Sequence, residues 1–171
     1  MDCPRRSFLK THGTGLPPWD FREIGNGVIF ETGVLCFHPE NITLGDEIYL
    51  GHYSIIKGYY ENQMLIGSGT WIGQNAFLHS AGGLKIGKKV GIGPGVKILT
   101  SSHKLSGGIN LSIIDRPLEF AAVEIDDGCD IGANAVILPG VRLGKNVQVG
   151  AGAVVTKSYT DESVIKGVPA K

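Results

Sequence analysis

The chain carries no net charge, because sixteen Lys and Arg are balanced by sixteen Asp and Glu, so no overall field draws it to nucleic acid or to an anionic membrane. Cysteine is scarce. Cys3, Cys36 and Cys129 lie far apart, odd in number and without a C-x-x-C pair, which argues against a disulfide framework and a cysteine zinc site and fits a reducing cytoplasm. No apolar run approaches the roughly 18 residues that span a bilayer, so no membrane association is expected. Residues 5–10 resemble a twin-arginine export motif, but the stretch behind them is Thr-His-Gly-Thr-Gly-Leu-Pro-Pro rather than an apolar segment, so export is not expected. The triplets Asn41-Ile42-Thr43 and Asn110-Leu111-Ser112 match a glycosylation acceptor, which carries no meaning in a cytoplasmic protein.

What is plentiful is glycine, 26 of 171 residues. Each costs about 1 kcal/mol in a helix interior relative to Ala, and hardly any stretch runs three helical turns without one, so a helical bundle is excluded. The glycines do not fall every third residue, which excludes collagen, and 45 Ile, Leu and Val residues exclude disorder.

The periodicity is six. Ile125, Ile131, Ile137, Leu143, Val149 and Val155 follow one another at that spacing, and four residues after each stands Cys129, Ala135, Val141, Val147, Ala153 or Tyr159. The same register holds upstream in Leu44, Leu50 and Ile56, in Ile66, Ile72 and Leu78, and in Ile86, Ile92 and Ile98, with a two-residue insertion at Gly82 and Gly83. Ile24 and Phe30 start the series, and residues 99–124 are read as the break in it. Period six is neither the 3.6 of a helix nor a plain alternation of two. It suits short strands separated by turns of about 120°, three hexads to a triangular coil, the aliphatics inside and Gly or Asn at the corners. Six to seven such coils, stacked by parallel pairing, make an all-β prism. A β-sandwich, the competing architecture, has turns without a fixed register.

The segments Ile-Gly-Ala-Asn-Ala-Val-Ile-Leu-Pro-Gly-Val (131–141), Val-Gly-Ala-Gly-Ala-Val-Val-Thr-Lys (149–157) and Gly-Val-Pro-Ala-Lys (167–171) resemble the hexapeptide-repeat acyltransferases, in particular the galactoside, maltose and other sugar acetyltransferases. The resemblance covers 24–171, with 1–23 as a capping segment. It implies a left-handed parallel β-helix, against the right-handed rule for parallel crossovers, and transfer of an acetyl group from acetyl-CoA to a hydroxyl or amino group of a sugar or sugar nucleotide. It also implies a homotrimer with sites between subunits.

A loop of about 100–123 is too long for a corner and is expected to project. His103 stands at its root, and His is the side chain suited to removing a hydroxyl proton near neutral pH. The family's catalytic histidine follows an Ile-Gly coil start by seventeen residues, as His103 follows Ile86. The resemblance assigns acetyl-CoA contacts to Ala133, Ala151, Thr156 and Lys157 and an acceptor contact to Asn75; His79 is expected to line the acceptor pocket or to be exposed. Tyr59, Tyr60, Trp19 and Trp71 are further candidates to stack on a sugar ring. Asp130 departs from the pattern, standing where galactoside-type members often have Trp. Two other classes compete with transfer. A carbonic anhydrase-like zinc site needs three converging imidazoles, but His79 and His103 are offset by four places on adjacent coils, roughly 13 Å at strand rise, and with His52 as the third candidate no metal is expected. A non-catalytic scaffold fits a chain that ends at Lys171 before the family's basic tail. Direct transfer in a ternary complex is the expected mechanism, since no cysteine lies near His103 in sequence.

Overall fold

A computed structural model describes residues 14–105 and 111–171. The segment 5–10, Cys3, His12 and the glycines at 107 and 108 lie outside the described residues.

Strands of two or three residues rotate through three faces. The first face holds six parallel strands, from Glu23–Ile24 to Arg142–Leu143, the second holds seven, from Ile29–Phe30 to Val164–Ile165, and the third holds six, from Leu35–Phe37 to Val154–Val155. Each strand pairs with the one a full coil away, so the chain winds as a triangular prism of about seven coils, the left-handed parallel β-helix of hexapeptide repeats. Among the described residues no helix is long and apolar enough to cross a membrane.

The hexad aliphatics are the core. Ile86 pairs with Ile125, Ile92 with Ile131 and Ile98 with Ile137, and Ile92, Ile98, Ile125, Ile131 and Ile137 are all fully buried. Each contributes about 1.5–3 kcal/mol of burial, which is why so short a repeat folds only as a stack. The second inward slot takes Val34, Ser54, Ala76, Val96, Ala135 and Ala153, all buried. At the open N-terminal end Trp19, Phe21 and Phe30 cover the core, with ring centroids 4.9–6.1 Å apart.

Two expectations need correcting. Corners are not reserved for Gly and Asn, because Glu47, Tyr53, Lys89 and Glu162 also take left-handed backbone. That conformation costs an ordinary residue roughly 1 kcal/mol, which the paired strands on either side supply. Residues 99–124 are also not the only long break. The step from Ile56 to Ile66 is four residues longer than the period, and Gly58 to Gln63 fill it as a second irregular segment.

Candidate active site

The extra residues of three successive coils all fall at the corner between the third and first faces. There 58–63, 80–83, 99–105 and 111–122 meet, and they hydrogen-bond to one another. The Asn62 side-chain amide donates to the Ala81 carbonyl at 2.5 Å, and the Gly82 amide donates to Thr100 Oγ1 at 3.0 Å. That hydroxyl in turn donates to the His79 carbonyl at 2.9 Å. The Ala121 amide donates to the Thr100 carbonyl at 3.0 Å and the Val123 amide to that of Gly83 at 3.1 Å. Gly82 is required by close approach, since a Cβ there would come within 2.6 Å of backbone atoms of Thr100 and Ala121. The doubled glycine thus seats the root of the projecting segment.

That segment begins and ends as an antiparallel hairpin, Ser101–His103 against Leu118–Phe120. His103 is half-buried, and its Nδ1 lies 3.0 Å from the Arg116 carbonyl oxygen. A carbonyl only accepts, so Nδ1 is the donor; in the neutral ring Nε2 then keeps its lone pair, the tautomer a general base needs. Arg116 holds this geometry from both sides. Its guanidinium donates to the carbonyls of Leu105 at 2.7 Å and Leu111 at 3.3 Å, its amide donates to the Ile113 carbonyl, and the Lys104 amide donates to that of Pro117 at 3.0 Å. Sequence reasoning does not single out Arg116. Its only local signal is the Arg-Pro pair inside the long break.

His79 ends the third-face strand Phe77–His79, beside Lys57 in register. Its ring stacks on Phe77 and meets Tyr59 edge-on, with both centroids 6.0 Å away. Burial, reinforced by the Lys57 charge, pushes its pKa down to about 4, so the ring is neutral near pH 7. Tyr59 is buried and joins the hairpin to the prism, its ring 4.7 Å from Tyr60 and 5.9 Å from Phe120. His79 therefore shares the elaborated corner with the hairpin. Asn75 does not. It sits at the opposite edge of the third face, exposed, with left-handed backbone (φ 57°) in a column of corner residues that includes Gly95 and Asn134.

The four residues assigned to acetyl-CoA divide in the same way. Ala133, half-buried, and Ala151, exposed, lie at the corner before the third face, whereas Thr156 and Lys157, both exposed, lie at the corner after it. Lys157 Nζ stands 5.5 Å over the Tyr159 ring. His52 is at the far corner, with Nε2 3.4 Å from Glu31, and among the described residues no group of three or more His, Cys, Asp or Glu is placed to hold a metal ion. A cleft of about 650 Å³ is lined by Asp126, Arg142, Tyr159 and Asp161 at the C-terminal end. It opens where the final coil keeps only a single bridge, Leu143 to Tyr159, on the first face, and it contains none of the predicted site residues.

Comparison with known proteins gives the same picture. Residues 122–157 match the family described as the hexapeptide repeat of succinyl-transferase. Galactoside O-acetyltransferase of Lactococcus lactis subsp. lactis (strain IL1403) is 35% identical over 104 residues, 60% of this chain and 48% of that protein. The 2,3,4,5-tetrahydropyridine-2,6-dicarboxylate N-acetyltransferase of Staphylococcus aureus (strain JH9) is 45% identical over 69 residues, 40% of this chain and 28% of that protein. The chain thus spans half or less of the length of these curated relatives. In fold, it superposes on a variant of AntD, an N-acyltransferase from Bacillus cereus solved with dTDP-4-amino-4,6-dideoxyglucose and coenzyme A. The TM-score is 0.79 at 22% identity, over 88% of this chain and 82% of that one. Period, register and relatives converge: the chain resembles the hexapeptide-repeat acyltransferases, and residues 122–157 carry their repeat.

Proposed function

We propose that this protein transfers an acetyl group from acetyl-CoA to a hydroxyl or amino group of a sugar or sugar nucleotide, with His103 as general base. The observation that carries the reading is the bond from His103 Nδ1–H to the Arg116 carbonyl, which leaves Nε2 basic and fixed in direction. The acceptor hydroxyl gives its proton to Nε2 as its oxygen attacks the thioester carbonyl carbon. The tetrahedral intermediate then collapses, the carbon–sulfur bond breaks, and His103 returns the proton to the departing thiolate. No acyl-enzyme is formed. The reading is supported by the names of the relatives and by the coenzyme A and sugar nucleotide bound in the AntD complex.

The residues fit the donor. A pantetheine arm needs small side chains where it approaches the backbone as an added strand, and Ala133 and Ala151 supply them beside Gly152, around whose Cβ position nothing lies within 4 Å. Thr156 and Lys157 would face the nucleotide end. The two sets occupy opposite edges of one face, as do Asn75 and the hairpin, so one chain does not close the site. A homotrimer, with the hairpin of one copy against the second corner of the next, brings them together. Buried, unpaired Cys36 and Cys129 accord with the reducing cytoplasm.

The test is release of free CoA thiol with a panel of sugar acceptors. His103→Ala should lower turnover by about a hundredfold or more, with unchanged melting temperature and retained acetyl-CoA binding by calorimetry. Near-native turnover removes His103 from the chemistry, and a native chain that does not bind acetyl-CoA is a scaffold.

A further inference from the structure

On the second face one position breaks a column of outward side chains. Successive strands place Ile29, Tyr49, Trp71, Gly91, Asp130, Gln148 and Val164 in direct register. Only Gly91 has nothing to present. Glycine weakens a strand interior, and where it occurs there it commonly marks the close approach of a ligand or another backbone. The fold does not ask for it here. The Gly91 backbone is not left-handed, and a Cβ would meet only the carboxylate end of the Asp130 side chain, at 3.0 Å. At Gly93, two residues on, a Cβ would strike backbone at 2.7 Å.

The gap has defined walls. On one side is Trp71, 40% exposed, whose other ring face is stacked on Tyr49 with centroids 5.6 Å apart and planes 3° from parallel. Desolvation and the neighbouring Glu31 carboxylate push the pKa of the Tyr49 hydroxyl up. The indole is therefore backed by Tyr49 on one face, and Gly91 occupies the next rung on its other side. On the other side, two rungs or roughly 9–10 Å along the prism, stands Asp130. It is exposed, its side chain leans over Gly91, and its carboxylate makes no hydrogen bond or ion pair among the described residues. A ring packed on the indole needs about 4 Å of that span, and the Asp130 carboxylate, leaning toward Gly91, reaches into the remainder.

We propose that the slot between Trp71 and Asp130, floored by Gly91, is a binding subsite for a saccharide ring, which rests on the sugar-acceptor reading above. The C–H face of the ring packs on the indole, and a hydroxyl or ammonium group donates to Asp130. Asp130 lies three residues before Ala133, so a ring held here adjoins the corner assigned to the acyl donor. The absence of a side chain at 91 and the carboxylate at 130 then have one explanation: both make room for, and hold, the acceptor.

Trp19 and Trp71 are the only tryptophans, so Trp19→Phe leaves Trp71 as the sole reporter. Maltose or methyl β-galactoside should change its emission saturably, whereas uracil, a flat base without a saccharide ring or hydroxyls, should not. Gly91→Val, which fills the slot, should weaken sugar binding at least about tenfold, and Asp130→Asn about tenfold. Because Trp19 packs into the N-terminal cap, saturation-transfer NMR on the unsubstituted protein provides the second measurement, with protons of one ring face saturated preferentially and the effect lost in Gly91→Val. Sugar binding unaffected by Gly91→Val, a response to uracil alone, or no response to either sugar overturns the proposal. His103→Ala separates the two readings. It should keep the sugar response while losing turnover, and retained turnover in that variant would remove the base assignment without touching the slot.

Discussion

The corner between the third and first faces is built in two ways along one prism. In the coils that reach Ile66, Ile86 and Ile125 it is stretched by 58–63, 80–83 and 99–122, and carries Tyr59, His79, the hairpin and His103. From Ile137 to Leu143 it keeps the six-residue step, and nothing projects. The interior does not register the difference, for Ile86, Ile125 and Leu143 stack on one another through either kind of corner. Packing and pairing are properties of the faces, so corners are free to grow. Chemistry collects where they have grown, because only there does the backbone leave the repeat and direct a side chain of its own choosing.

The contrast is open to experiment at both ends. The largest effect is expected from Leu143→Ala in the regular half. This residue is fully buried between Ile125 and Tyr159, and truncation should cost about 2–5 kcal/mol, read as a lower denaturant midpoint with activity per folded molecule nearly unchanged. Arg116→Ala probes the other half. Loss of its bonds to Leu105 and Leu111 should free the carbonyl that orients His103, lowering kcat about tenfold while KM for acetyl-CoA and the melting temperature stay put. A fall in stability with no change in kcat would make Arg116 a purely structural tie.

A smaller, pH-dependent effect belongs to His79. Its folded pKa of about 4 lies below the ordinary 6.5, so between those values the unfolded chain takes up a proton that the folded chain refuses. Stability therefore falls on acidification through that window. In His79→Gln, denaturation curves measured from pH 7 to 4 should show a shallower decline. Smallest is Ser54→Ala. Ser54 Oγ is buried without a hydrogen-bond partner among the described residues, in a slot whose neighbours along the prism are Val34 and Ala76, so the variant should be more stable by about 1 kcal/mol. A loss of stability there would mean that the hydroxyl has a partner after all.

Much of the molecule is legible in its residues alone. The hexad aliphatics name the core, and the C-terminal block carries the family resemblance. His103 is visible as a histidine at the root of the longest break. The segment at 58–63 shows in the step from Ile56 to Ile66, but a short interruption is inconspicuous beside a much longer one of the same kind. Arg116 is not legible. Its role depends on which carbonyl faces His103 across the hairpin, and pairing register within an irregular segment has no periodic signature. Asn75 shows the reverse: its left-handed backbone is something Asn provides at a corner without any ligand.

By itself the sequence determined the prism. A repeat of six with an aliphatic in each unit can bury its apolar surface in only one general way, by winding and stacking, and a strict period leaves little to long-range chance. The tertiary structure alone decided what stands beside what. Three separate irregular segments share one corner, the Arg116 carbonyl selects the tautomer of His103, and the absence of a side chain at Gly91 becomes a slot only when Trp71 and Asp130 are set on either side of it. Such neighbours are whole coils apart in sequence, and it is the parallel stacking of those coils that makes them adjacent.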